Sequence, residues 1–301
     1  MKEELNIKKD HHGFVFLYDS KNHRTVMNGP HHHKELELNI VIRGSAEYLL
    51  SDQRYRLARG NLVWLFPGQE HQLIKTDSKF KMYVIVFKEE ILKKTILLDE
   101  KYKALSEKNP IGSFCRRISL PSMEKLEKVC ASLCSLNDKK VLSPAYYYSG
   151  RAFGFKNNSE YLHSDPILLN AGLLYLMTVC WHLYLTEGND ENKEMLNPSI
   201  EKALNLLQRF PEKDFGLSEL SYECGVSVSR LSRLFNEQIG CSLVDYKNKL
   251  KMEKFVDCMS KNPSYSISEA CYQVGFGSYS QFYKIFKQNF GISPKAYFSE
   301  N

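Results

Sequence analysis

Two rows of side chains in the C-terminal third have the chemistry to read DNA. Ser229, Arg230, Arg233 and Asn236 share one face of a helix-spaced segment, and Ser280, Gln281, Lys284 and Lys287 share one face of another. Arg can bond a guanine edge through two hydrogen bonds, Gln an adenine edge and Ser either, while Lys can hold a phosphate. A merely solvated face carries similar residues, so one row decides little. Two rows at a fixed separation decide more. Ser218, Glu219, Tyr222 and Gly225 sit 50 residues before Ser268, Glu269, Tyr272 and Gly275. Phe235, Gly240, Ser242 and Tyr246 sit 51 residues before Phe286, Gly291, Ser293 and Tyr297, so one residue has entered the second copy's turn. Two copies are too few for a solenoid. This is one small unit used twice.

The elements that must position these rows follow from spacing. Residues 217–224 read as a short helix, Gly225 as a tight turn and Ser227 as the cap of the next helix. In that helix Val228, Leu231, Leu234, Phe235 and Ile239 form an apolar stripe, and Gly240 ends it. The second copy repeats the plan with a helix over 267–274, a turn at Gly275-Phe276-Gly277, a cap at Ser278 and inward Phe282, Ile285, Phe286 and Phe290. Two short helices on a Gly-bearing turn describe a helix-turn-helix, whose second helix enters the major groove. Residues 243–259 read as a single connecting helix about 25 Å long. That length brings the two reading helices to a separation comparable with one DNA turn, about 34 Å.

Residues 199–301 resemble the C-terminal domain of the AraC/XylS transcription regulators. The resemblance is carried by Gly275-Phe276, Phe282, Phe286-Lys287 and Gly291-Ile292-Ser293-Pro294. The chain departs from that family at three places. Lys251 stands where Arg is usual and lacks its bidentate fork. Phe255 stands where Ala is usual, and Phe298, after Tyr297, replaces an Arg able to meet phosphate. Residues 196–301 carry 13 Lys/Arg against 11 Asp/Glu, a net of only +2. The resemblance implies double-stranded promoter DNA as partner, a small-molecule effector in the N-terminal domain, a homodimer, a cytoplasmic location, and activation through contact with RNA polymerase.

The N-terminal third reads as strands. GFVFLY, LELNIVIR, SAEYLL, NLVWLF and FKMYVIVF are short, rich in β-branched and aromatic residues and separated by turn signals, a pattern of sandwiches and barrels. His31 and His33 are two apart, Glu37 follows four residues on, and His71 comes four after Pro67. These segments, GPHHHKELELNIVIRG and GNLVWLFPGQEHQL, resemble the two motifs of cupins, small antiparallel barrels. The resemblance implies that His31, His33, Glu37 and His71 occupy ligand positions, a donor set suited to Zn, Fe, Mn or Ni. No cofactor is otherwise expected. An organic effector in the barrel mouth would use the same residues with Trp64; Phe66 and Tyr83 are further wall candidates, and strand core is the blander role for all three aromatics.

The expected fold is therefore α+β. It has an N-terminal antiparallel cupin-like β-barrel over 1–90, a helical dimerisation and connecting region over 91–185, a linker at 186–199, and an all-α double helix-turn-helix domain over 200–301. The rival from another class is a metal-dependent cupin enzyme, an oxygenase or isomerase, fused to a DNA-binding module. Neither a Gly-rich phosphate loop nor a nucleophile elbow supports catalysis, so the expectation is a regulator and not an enzyme. Composition agrees with a globular chain: of 301 residues 25% are charged and 43% hydrophobic, and the net charge of +6 permits an acidic partner without requiring one. The first twelve residues lack the apolar run of a signal peptide, and the eight cysteines form no paired C-x-x-C, which fits a reducing compartment. Residues 166–186 carry no fixed charge and are long enough to cross a bilayer. Asn170, His182 and the lack of a basic flank favour instead a helix covered by protein, and no membrane is expected.

Overall fold

The computed structural model describes residues 5, 7, 9–21, 30–51, 53–108, 110, 114–135, 165–190, 193–210, 213, 215–262, 264–290 and 293–299. The tract at 143–165, which sequence patterns leave unplaced, lies outside the described residues except for Asp165. The N-terminal part holds β1 (Gly13–Asp19), β2 (Leu36–Arg43), β3 (Ser45–Leu50), β4 (Gln53–Ala58), β5 (Asn61–Leu65), β6 (His71–Thr76) and β7 (Lys81–Phe87). Helix α1 (Glu89–Leu98), a 3-10 turn at Glu100–Ser106, β8 (Cys115–Arg117), α2 (Leu120–Ser135) and α3 (Pro166–Thr186) follow. Short β9 (Asn189–Asp190) and β10 (Lys193–Met195) lead into the helical C-terminal part.

The strands do not close into a barrel, and the cupin-like expectation is corrected. They form two open antiparallel sheets, one in the order β1-β7-β2-β5-β8-β9 and the other in the order β10-β4-β3-β6. Closure would need a ladder from one sheet's edge to the other's, and among the described residues only an isolated bridge between His31 and His71 lies outside the named ladders. The larger sheet is instead the middle of three layers. In β2 every residue but Arg43 is buried. Leu38, Ile40 and Ile42 pack with Leu62, Trp64, Ile85 and Phe87 against the helices, while Val41 packs with Val63, Leu65 and Val84 against the smaller sheet. A sheet apolar on both faces needs a cover on each. The molecule supplies the small sheet on one side and α2 and α3 on the other, with Met123, Leu126 and Leu133 of α2 and Leu173, Met177 and Trp181 of α3 in that second core.

Helix α3 begins on a capping Asp165, whose side chain accepts from the Leu168 amide at 3.0 Å, with Pro166 in its first turn. It is long and apolar enough to span a membrane. Here it lays Leu169, Leu173, Leu176, Cys180 and Tyr184 into the core, and Trp181 meets Trp64 edge-on at 5.7 Å. All eight cysteines are free; burial pushes the Cys130 and Cys180 thiols up, so they behave as small apolar groups.

Residues 186–199 add an edge to both sheets: β9 pairs with β8, and β10 pairs with β4 from Lys193↔Tyr55 to Met195↔Gln53. After them come α4 (Pro198–Arg209), α5 (Leu217–Glu223), α6 (Val228–Ile239), α7 (Leu243–Lys261), α8 (Ile267–Gln273), α9 (Tyr279–Phe290) and α10 (Pro294–Ser299). Helices α4 to α7 share a core of Ile200, Ala203, Leu220, Leu231, Phe235 and Tyr246. Leu49 of β3 joins that core and Ile74 of β6 packs on it, so the N-terminal part touches the helices through side chains.

Candidate functional site

The two repeated units superpose bond by bond. In the first, Gly225 adopts φ 68°, its amide bonds the Tyr222 carbonyl at 3.0 Å, and the Val226 amide bonds the Ser221 carbonyl at 3.1 Å. In the second, Gly275 adopts φ 88°, its amide bonds the Tyr272 carbonyl at 3.0 Å, and the Phe276 amide bonds the Cys271 carbonyl at 3.2 Å. Both turns need the left-handed conformation that glycine adopts without strain. The caps then step out of phase by one residue. The Ser227 hydroxyl accepts from the Arg230 amide at 3.3 Å, and the Ser278 hydroxyl from the Gln281 amide at 3.2 Å. Gly277 is the extra residue in the second turn. The caps place Arg230 and Gln281 at equivalent positions, and one helical turn later Arg233 and Lys284.

All eight side chains of the two rows are exposed: Ser229, Arg230, Arg233 and Asn236 on α6, and Ser280, Gln281, Lys284 and Lys287 on α9. Arg233 pairs with Glu237 at 3.2 Å, an exposed contact worth about 0.3–0.5 kcal/mol. A phosphate or a guanine edge can displace such a pair. The opposite sides of both helices are anchored by Leu231, Phe235 and Ile239 in α6 and by Phe282 and Phe286 in α9, all buried.

Comparison with known proteins matches both parts of the chain. Residues 12–121 match the AraC-like ligand binding domain, and residues 220–300 match a helix-turn-helix domain. The transcriptional activator RhaR of Mannheimia succiniciproducens is 21% identical over 89% of this chain and 86% of its own length. The chain is an AraC/XylS-type transcription regulator. It binds specific DNA sequences through its helix-turn-helix domain, and its family is regulatory, not catalytic. The regulator MtrA of Neisseria gonorrhoeae is 28% identical over 44% of this chain and 46% of its own. The ToxT structure from Vibrio cholerae aligns with 95% of this chain and 97% of its own at 14% identity and a TM-score of 0.35, too loose a superposition to argue from.

The three departures of this regulator from its family have structural roles. Lys251 on α7 donates to the Gly275 carbonyl at 2.7 Å and so holds the second turn in place. Phe255 and Phe298 compensate for each other: Phe255 is fully buried, with ring centroids 4.5 Å from Phe282 and 5.9 Å from Phe298. An aromatic cluster therefore stands where the family usually has a small residue and a basic one.

A second candidate site lies between the two sheets of the N-terminal domain. His33, just before β2, Glu37 of β2 and His71 of β6 converge, with their ligand atoms within 4.8 Å of one another and all three residues buried. His33 Nε2 lies 3.0 Å from Glu37 Oε2, and His33 Nδ1 lies 3.0 Å from the Glu35 carbonyl. His71 Nδ1 lies 2.9 Å from the Gln69 carbonyl, and its Nε2, also buried, meets no hydrogen-bond partner. Burial pushes the His71 imidazole down to about 4, which keeps its ring neutral near pH 7. Burial alone would raise the Glu37 carboxyl, and the hydrogen bond from His33 and the nearby imidazoles outweigh it and hold the group low. Two imidazoles and a carboxylate fit a divalent transition metal.

Of the other sequence candidates, His31 sits beside this set, with its ring 4.2 Å from that of His71, but is not one of the three whose ligand atoms converge. Trp64 is elsewhere. It opposes Leu38 in the β2–β5 ladder and faces the helices with Phe66 and Tyr83, whereas Glu37 opposes Leu65 and faces the small sheet. Sequence reasoning missed Lys249, a 6% exposed lysine on α7 that burial pushes down to about 8 while Glu70 of the N-terminal domain pulls it up. The signal was a lysine one residue before Leu250 on a side of α7 that meets the N-terminal domain.

Proposed function

We propose that this regulator reads two successive major grooves on one face of promoter DNA, with α6 and α9 as its reading helices and its N-terminal domain as the sensing part. The observation that carries this reading is the matched pair of turns and caps, which exposes equivalent rows on α6 and α9. Arg230 and Arg233 are base or phosphate readers in the first unit, and Gln281 and Lys284 in the second, with Ser229, Asn236, Ser280 and Lys287 flanking them. Helix α7 has 19 residues and is about 28 Å long, in keeping with two heads about one DNA turn apart.

The regulator works as a cytoplasmic homodimer that responds to a ligand in the N-terminal domain and activates transcription through contact with RNA polymerase. The exposed apolar row Leu168, Tyr175 and Leu185 along α3 supports a pairing face there. A ligand shifts such a protein only by binding one arrangement of the domains better than another. Fluorescence anisotropy with the regulator's own upstream DNA and a scrambled sequence, over a salt series, tests DNA reading. The expected result is a specific complex whose log affinity falls steeply with log salt. Equal, weak affinity for both DNAs, with and without added ligand, would overturn it.

A further inference from the structure

Helices α4 and α7 present spaced polar faces to the N-terminal domain. Glu201, Leu204 and Gln208 lie at i, i+3 and i+7 on α4, and Leu250, Glu253 and Lys254 at i, i+3 and i+4 on α7, so each set shares one side of its helix. Across from them stand His32, Ser51 and Glu70 of the N-terminal domain, and together these residues line a cavity of about 520 Å³. Cavities that take small molecules measure about 300–1,000 Å³. The rim is fixed by bonds of its own. The Ser51 amide bonds the Glu70 carbonyl at 2.7 Å, and the Glu70 carboxylate accepts from Gln208 Nε2 at 3.1 Å. This cavity is separate from the set between the sheets, since none of His33, Glu37 and His71 lines it.

The charge of the wall selects the occupant. Three half-buried carboxylates, Glu70, Glu201 and Glu253, line the cavity with a single ammonium, Lys254, in a chain whose net charge is +6. Half-buried carboxylates around one space repel each other, and a cation among them relieves that cost. They do not converge as metal ligands do: among the described residues only His33, Glu37 and His71 bring their ligand atoms within 4.8 Å of one another. The cation must therefore carry its charges at separated points. The same wall holds Leu204, Leu207 and Leu250, which suit an aliphatic stem. We propose that this cavity binds an organic dication, an alkyl diamine or polyamine, whose ammonium groups pair with Glu70, Glu201 and Glu253 and whose methylenes lie on the three leucines. His32 adds an acceptor. Its Nδ1 is buried and meets no hydrogen-bond partner among the described residues, and a neutral imidazole nitrogen can accept from an ammonium.

Such an occupant joins three parts of the regulator. Glu70 comes just before β6 of the small sheet, and Glu201 belongs to α4, which shares the core of the first helix-turn-helix unit. Glu253 sits on α7 between Met252 and Phe255, which enter the core of the second. A bound dication therefore bridges the N-terminal domain to elements that support both units.

The proposal goes beyond a ligand held inside the N-terminal domain, and its test contains no DNA, so its failure is distinct from a failure of DNA reading. Full-length protein is titrated by calorimetry with 1,5-diaminopentane and with spermidine. Saturable binding at one equivalent per chain is expected. 1-Aminopentane, with one charge, and glutarate, with the opposite charge, should bind at least about tenfold more weakly, the scale of one lost hydrogen bond to a charged group. Glu253→Gln should weaken diamine binding by a similar factor, and Asn205→Trp, which fills the cavity and leaves its charges in place, should abolish it. Glu124→Gln, at an exposed acid on α2, should bind like the parent. Circular dichroism identifies a variant that fails to fold, and the remaining variants then decide. No saturable binding of either amine, equal affinity for 1-aminopentane or glutarate, or binding unchanged in folded Glu253→Gln and Asn205→Trp would overturn the proposal.

Discussion

The two helix-turn-helix units share a plan and differ in what holds them. The first shares its core with α4, takes in Leu49 of β3, and ends at Gly240, where an added Cβ would lie 2.9 Å from Ile74 Cγ2 of β6. The second has a core of its own, built from Met252, Phe255, Ala270, Cys271, Phe276, Phe282 and Phe286, with no N-terminal residue in it among the described residues. Helix α7 contributes Met252 and Phe255 to it. One reading head is thus fixed to the sensing domain and the other is carried by a helix. Among the described residues, the N-terminal part contributes side chains to the core of the first unit and none to that of the second.

The largest expected effect separates the two cores. Phe255→Ala opens a cavity under three aromatic rings and should cost about 3–5 kcal/mol. Region-resolved hydrogen exchange should show protection lost over 252–299 and kept over 200–246; loss across both would mean that the units are one cooperative body. Next is the reading face. Arg233→Ala should weaken specific DNA binding by about 1–3 kcal/mol and relax preference at one base pair, whereas equal weakening on every sequence would mark a phosphate contact. Anisotropy against a panel of single-base operator variants distinguishes the two.

A smaller effect tests the clamp on the first unit. Gly240 and Gly225 both have left-handed backbone, at φ 76° and 68°, so alanine at either should cost about 1–2 kcal/mol. Only at Gly240 does the new methyl meet the N-terminal domain; at Gly225 nothing lies within 4 Å. In denaturant melts, Ile74→Ala should therefore couple to Gly240→Ala and add independently to Gly225→Ala. Smallest is Lys251→Met, which removes the bond to the Gly275 carbonyl and should cost about 1 kcal/mol. Its loss should appear as faster exchange at the Gly275 turn, with the Gly225 turn unchanged.

The two helix-turn-helix units of the C-terminal domain were legible in detail. Their helices carry their own signals: Ser227 and Ser278 as caps, Gly225, Gly240 and Gly275 at the turns, and apolar stripes at helical spacing, whereas the caps Ser242 and Ser266 and the bounds of α4 and α10 came from the structure. The N-terminal domain was legible only in part. The expected strands at LELNIVIR and FKMYVIVF became β2 and β7, but QRYRLA and HQLIKT are polar and short, and they form β4 and β6 because β3 offers an edge to each. Strands of two or three residues such as β8 to β10 carry no pattern at all and exist through their partners.

The sequence alone determined the two helix-turn-helix units, because a turn, a cap and a helix face are decided by neighbours within a few positions. Tertiary structure decided what those residues meet. The register of β2 against β5 sets Glu37 and Trp64 on opposite faces of one sheet, and a slip of a single residue would exchange them. The same holds for closure: a strand apolar on both sides suits a barrel wall or the middle of three layers equally well, and only α2, α3 and the second sheet, brought from distant parts of the chain, make it the middle layer.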